Sequence, residues 1–369
     1  MRKAFLHILA LAALATLLPT GCRREEPVLE QPTLTIRLNF PFTAETKSTE
    51  ASTAEQNIVN LRLWVFLAED AGGKAAGTCL GFLNPSRDQI KREKTQEFSF
   101  KLDEAVAKAK PKVNVYALVN QGSTGYGTTK FLANTPEADL DGYTLKGNYF
   151  GISSPVTTAS GNGIPYTACG KNIPLSGSYP VLEAGTFTLT RVVSKVHVVL
   201  CQAVDEAGPL DNITVTSLSL DGGQFPTQEY LFSENAAVRI SADYESARVN
   251  FTIPNPIAGN PECDTYIYRS GMADQAYEDL IASGIEQGVL SDCGLYYLRE
   301  SDKRLQGQIT YKVGTGAEKT ATFRMKEGEN FSRNHNWIVY LYFIDDAIGF
   351  SVSWTDWTDG ADIHITPED

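Results

Sequence analysis

Methionine is scarce in this chain, 3 of 369 residues, whereas Phe (17), Tyr (16) and Trp (4) are plentiful. Aromatic and β-branched side chains suit pleated, half-buried surfaces, so this balance argues against a helical bundle and for packed β structure. Histidine is rare as well, with 4 in all, and no HExxH, GxSxG, Walker or dinucleotide-binding pattern occurs. Metal-assisted hydrolysis, serine-ester chemistry and phosphate binding have no local signature, so no catalytic, cofactor-binding or metal residue is assigned. The 6 cysteines include no CxxC pair and no metal-ligand spacing, which leaves out zinc ribbons and dithiol redox motifs. Excess positive charge is absent too: 32 Lys and Arg against 44 Asp and Glu give a formal net charge of −12. Such a chain does not bind nucleic acid through electrostatics and has no basic face for an anionic bilayer. Beyond residue 22 no apolar run is long enough to cross a membrane.

What is present begins at the amino terminus. Met1-Arg2-Lys3, an apolar run from Ala4 to Leu18, and Pro19-Thr20-Gly21 form the charged, apolar and small-residue regions of an export signal over residues 1–21. A cysteine directly after Gly21 looks like a bacterial lipoprotein site, at which Cys22 is acylated and becomes the new amino terminus. Its acyl chains then tether the precursor to a membrane. Five cysteines remain, an odd number, so at least one thiol stays unpaired within the chain. Cys263 with Cys293 is the one pair considered for a disulfide, with two separate buried thiols as the alternative.

The stretch from Thr33 to Leu67 organises the rest. Leu34, Ile36, Leu38 and Phe40 point one way and Thr35, Arg37 and Asn39 the other, the period-two signature of a strand with one buried face. Val59, Leu61, Leu63, Val65 and Leu67 repeat the pattern. Between them, Thr43 to Gln56 is too polar for a core and too long for a hairpin turn, so it is expected to be an exposed loop open to proteolysis. A cut between Lys47 and Ser48 would leave the first strand held by noncovalent contacts alone. Its departure would open an apolar groove that a strand of another chain could fill.

Length suits two domains of ordinary size. Val113–Asn120 is the clearest inner strand of the first half, and Arg191–Leu200 is a β-branched run predicted to leave the first domain and open the second. The second half continues with short alternations at Ile213–Leu220, Val249–Ile253 and Thr265–Tyr268, then a hairpin of Gln308–Val313 with Ala321–Met325. A long strand, Arg333–Phe343, follows, and after it Ile348, Phe350, Val352 and Trp354 alternate strictly. One helix is predicted, Ala273 to Glu286, with Tyr277, Leu280, Ile281 and Ile285 on one face and Gly288 near its end. The expected fold is mainly all-β: two antiparallel β-sandwich domains in tandem, 48–190 and 191–369, with one or two short helices.

His197 and His335 sit in predicted strands and read as structural histidines. Asp356, Asp359 and Asp362 match no calcium loop and read as a solvated strand end. Nothing in the sequence supports catalysis.

In the order of its elements the chain resembles the fimbrillins, the subunits of type V pili. The likeness rests on the signal ending at Cys22, the strand Leu34–Phe40, the polar loop with Lys47, and Val59–Phe66. It extends through Val113–Gly122, Arg191–Val198, Arg333–Tyr340 and Phe350–Trp357. The resemblance implies an exported lipoprotein precursor, a trypsin-like surface protease cutting at Lys47-Ser48, and residues 22–47 as a propeptide. It also implies that Leu34, Ile36, Leu38 and Phe40 fill a groove later taken by a strand of another copy or a related pilin. The donor is expected in the carboxy-terminal segment, either Ile348, Phe350, Val352 and Trp354 or Ile363 and Ile365, with the latter favoured as more detachable. In this family the cut commonly follows arginine, and this loop offers lysine. An anchor or tip adhesin of the same family is the nearest alternative, and a surface glycan-binding lipoprotein is a more distant one.

Overall fold

Alternating apolar residues build strands, and the residues between them decide how the strands connect. The computed structural model describes residues 31–40, 58–85, 89–90, 94–127, 130–145, 150, 163–205, 208–209, 213–233, 240–269, 272–344 and 347–356. The first nine strands are β1 (Thr33–Asn39), β2 (Leu61–Leu67), β3 (Cys79–Leu83), β4 (Thr95–Lys101), β5 (Lys112–Val119), β6 (Tyr166–Pro174), β7 (Ser176–Ser178), β8 (Val181–Thr188) and β9 (Thr190–Arg191). Then come β10 (Val193–Gln202), β11 (Val204–Asp205), β12 (Gly208–Pro209), β13 (Ile213–Leu220), β14 (Val249–Asn250) and β15 (Ser291–Arg299). The last four are β16 (Gln306–Val313), β17 (Lys319–Arg324), β18 (His335–Ile344) and β19 (Ala347–Asp356). Helices are few among the described residues: α1 (Glu104–Ala109), α2 (Glu137–Gly142) and α3 (Asp274–Glu286), the last of them as predicted.

Two β-sandwiches follow one another. In the first, a sheet ordered β4-β1-β8-β7 faces one ordered β3-β2-β5-β6-β9, and their inner faces share a core that includes Leu34, Ile36, Leu38, Trp64 and Val115. In the second, β15-β10-β18-β19 faces β14-β13-β16-β17 across Val198, Leu200, Ile309, Trp337 and Val339. Helix α3 and a 3-10 turn at Cys263–Tyr266 cover the outer face of β10 and β18, where Val199, Cys201, Tyr277, Ile281 and Tyr340 cluster. Because β10 is covered on both faces, all ten of its residues are buried. That is why Val193–Leu200 reads as a continuous β-branched run rather than an alternation.

The sheets are not wholly antiparallel, as the sequence suggested they would be. β1 runs antiparallel to β4 but parallel to β8, and β10 runs antiparallel to β15 but parallel to β18. The first strand of each sandwich thus lies in the interior of its sheet, between two strands that come later in the chain. The extended segment expected at Thr265–Tyr268 is in part the 3-10 turn that caps the outer cluster.

The disulfide considered for Cys263 and Cys293 is corrected by the faces they occupy. Both are free thiols. Cys293 packs with Val196, Val198 and Leu200 inside the second sandwich, whereas Cys263 packs with Val199 and Cys201 beneath α3. These are opposite sides of β10, so a bridge would have to pass through the sheet. The cysteine that shares the cluster with Cys263 is Cys201, on the outer face of β10.

A buried ionic cluster ties the two sandwiches into the compact unit Pro32–Asp369. Arg333, ahead of β18, reaches Glu229 at 2.5 Å and Glu300 at 3.3 Å. Burial pushes the Glu229 carboxyl up, opposed by the Arg333 charge. Around Glu229 the backbone holds residues of the first half: Leu145 N–H donates to the Glu229 carbonyl at 2.8 Å, and the Thr167 hydroxyl to that of Leu231 at 2.9 Å. Phe232 meets Tyr116 edge-on at 5.4 Å. Removing the cation would take from two buried carboxylates the ion pair they share, so Arg333→Met is expected to lower unfolding free energy by about 3–5 kcal/mol. Denaturant unfolding followed by tryptophan fluorescence measures this, and a loss below about 1 kcal/mol would contradict the assigned role.

Candidate functional site

The first strand is the candidate site, and its seat follows from its alternation. Leu34, Ile36 and Leu38 have no exposed surface and Phe40 is 2% exposed. Their side chains enter the first core opposite β2 and β5, while Thr35, Arg37 and Asn39 stay on the other face of the sheet. Thr33 to Asn39 pair residue for residue with Lys101 to Thr95 of β4. On the other side the ladder to β8 shifts by one between Glu183 and Gly185, a bulge that Gly185 accommodates with φ +94°. Both ends of the strand are also fastened. Thr33 N–H donates to the Pro180 carbonyl at 2.9 Å and Phe40 N–H to that of Lys94 at 2.8 Å.

On the outward face the strand carries a charge held from two sides. Arg37 makes a bidentate contact with Glu183 of β8, at 3.1 and 3.3 Å, and a second ion pair with Glu97 of β4 at 3.2 Å. Hydrogen bonding from Arg37 holds the Glu183 carboxyl below the usual carboxylate range. The sequence alone marks Arg37 as outward-facing but does not reveal Glu97 or Glu183 as its partners.

β4 itself is secured by Phe98, Phe100 and Leu102, which reach the same core. Phe100 lies over Gly81 of β3, where any Cβ would collide with its ring. Glycine at 81 lets the two sheets approach there.

Of the donor candidates, Ile348, Phe350 and Val352 lie in β19, which forms a hairpin with β18 and lines the second core. Trp354 stands opposite Trp337 in that ladder. This set is intramolecular sheet. Cys22, Lys47, Ser48, Ile363 and Ile365 lie outside the described residues.

His197 and His335 have structural partners. His197 Nε2 contacts Asp292 at 3.0 Å, and His335 Nδ1 lies 2.7 Å from the Arg333 carbonyl. Among the described residues no group of three or more His, Cys, Asp or Glu could hold a metal ion. A cavity of about 260 Å³ at the junction of the sandwiches is lined by Thr167, Cys169, Thr190 and Arg333, among others.

No protein-family model matches the sequence, and no curated protein matches it. Solved structures do. A candidate cell adhesion protein of Parabacteroides distasonis is 12% identical with a TM-score of 0.54, covering 91% of this chain and 100% of its own. One from Bacteroides eggerthii is 12% identical with a TM-score of 0.51, covering 89% and 96% respectively. The tip fimbrial protein Mfa3 of Porphyromonas gingivalis, in a form with C-terminal truncation, is 13% identical with a TM-score of 0.51, covering 89% and 100%. The likeness is one of fold and extends over nearly the whole chain.

If the seat of β1 depends on its apolar face, Ile36→Ala is expected to cost about 2–5 kcal/mol of stability. Ser99→Ala, on the outward face of β4, is expected to stay within about 0.5 kcal/mol. Urea unfolding of the full chain compares them, and equal effects would contradict the assignment.

Proposed function

We propose that this chain is a structural subunit of a cell-surface type V fimbria, exported as a lipoprotein precursor and polymerised by protease-triggered strand exchange. The observation that carries the reading is the seat of β1, an interior position with a ladder on each side and four apolar side chains in the core. Each ladder hydrogen bond contributes roughly 0.5–1.5 kcal/mol net, and each fully buried apolar side chain roughly 1.5–3 kcal/mol. A seat this deep does not stay empty. Once β1 is cut free of the segment after it, noncovalent contacts alone hold it, another strand of similar pattern can take its place, and the joint so formed is correspondingly tight.

In this reading Cys22 is acylated, residues 22–47 are the propeptide and Lys47-Ser48 is the cut made by a trypsin-like surface protease. Residues 48–190 and 191–369 are the two domains of the mature subunit. The tail with Ile363 and Ile365 is the donor, because Ile348, Phe350 and Val352 are engaged with the subunit's own core. The shared fold with a tip fimbrial protein favours one second reading, a tip member in which β1 stays in place. A glycan-binding surface needs exposed aromatic rings, and among the described residues the large exposed hydrophobics are Leu132, Tyr179, Val181 and Ile344, of which one is aromatic.

Trypsin treatment of the purified full chain is expected to cut after Lys47 and give SDS-resistant ladders, with mature surface material beginning at Ser48. Protein that is cut yet stays monomeric would refute polymerisation. Surface material that begins at Cys22 would instead select the anchor or tip reading.

A further inference from the structure

From the outward face of the same seat we infer that Glu97 and Glu183 select the incoming strand. They favour one from another subunit that carries a cation on its outward face between its middle inward-pointing apolar residues. This rests on the strand-exchange reading above and adds a chemical requirement to it.

The two carboxylates belong to strands that remain in the subunit, Glu97 to β4 and Glu183 to β8, whereas Arg37 leaves with β1. With β1 present, one guanidinium sits between them, within 3.2 Å of Glu97 and 3.1 Å of Glu183. With β1 gone, β4 and β8 stand two strand spacings apart, about 10 Å, and both carboxylates border the vacant lane with no cation between them. That separation is close to the screening length at ordinary salt, so an anionic residue entering the lane is repelled and a neutral one leaves both acids without a partner. A basic residue there recovers a bidentate contact on one side and an ion pair on the other.

The pairs are partly exposed, with side chains 36% accessible for Arg37, 54% for Glu97 and 37% for Glu183. Exposed ion pairs contribute little to stability, so their effect is on choice and register rather than on how firmly a strand is held. The apolar lane accepts any alternating strand, and its acidic border distinguishes among them. A one-residue slip would turn the cation inward and the apolar row outward, so charge and burial enforce the same register. This chain's own segments differ in that respect. Ile348, Phe350 and Val352 alternate with Gly349, Ser351 and Ser353, whereas Ile363 and Ile365 bracket His364, a group able to carry positive charge.

The test uses the full chain nicked within residues 41–57, which still holds its own first strand noncovalently, and labelled peptides copying residues 32–41. The peptides are the native sequence and its Arg37→Ala and Arg37→Glu forms, and displacement is read by fluorescence anisotropy. The native peptide is expected to bind about three- to tenfold more tightly than the Ala form and more tightly still than the Glu form, with the difference shrinking at high salt. In a nicked Glu97→Gln/Glu183→Gln chain the three peptides are expected to bind alike. Equal binding of all three to the unaltered chain, or a preference for Arg that survives the double substitution, would overturn the inference while leaving strand exchange standing. Failure of every peptide to enter would overturn strand exchange itself, and the inference with it.

Discussion

Within its sheet, β4 is hydrogen-bonded to a single strand, and that strand is β1. Everything notable about the first sandwich follows from this. β1 closes the gap between β4 and the β8-β7 pair, so removing it would divide one four-stranded sheet into two pieces held by the opposite sheet. Phe98, Phe100 and Leu102 would still anchor β4 to the core, but its backbone groups on the vacated side would lose their partners. An unpaired edge on each side of an apolar lane is a template for a strand, and the cost of leaving it open drives refilling.

The second sandwich repeats the arrangement and shows why it is stable there. β10 lies between β15 and β18 as β1 lies between β4 and β8, with the same antiparallel and parallel neighbours. In the companion sheets β13 pairs with β14 and β16 as β2 pairs with β3 and β5. β10 differs in being covered twice, by the opposite sheet and by α3 with its adjoining turn. β1 carries on its outward face short polar side chains and a half-buried arginine. The same topological position is therefore covered on both faces in one sandwich and has its apolar side chains on one face only in the other.

Much of this was legible in the sequence, because alternation determines which face of a strand is buried. Leu34 to Phe40 read correctly for that reason, Val113 to Asn120 and most of Arg333 to Phe343 as near-continuous apolar runs, and the helix from the three- and four-residue spacing of Tyr277, Leu280, Ile281 and Ile285. Alternation does not say which strand lies next to which. Arg37 and Glu183 are 146 residues apart, and no local pattern connects them. β15 was hidden because its alternation breaks at Gly294, where φ is +112° and the ladder to β10 shifts by one residue. Helix α1 spans six residues, too few to establish a period. Cys263 and Cys293 looked alike as buried thiols, and only the pleat of β10 shows them to be on opposite sides.

The two faces of β1 make contacts of different kinds, and under the proposed exchange they would divide affinity from selection. Burial of Leu34, Ile36, Leu38 and Phe40 is strong but indifferent to sequence, since any apolar residue of suitable size satisfies it. The contacts of Arg37 are weak but particular, since they need a cation at one register position and fail with a neutral or acidic residue. A joint built from burial alone would be tight and promiscuous, and one built from exposed ion pairs alone would not hold. Placing both on one strand combines a seat that favours being filled with a means of discriminating among strands, and under the proposed strand exchange that combination would let one occupant be chosen over another.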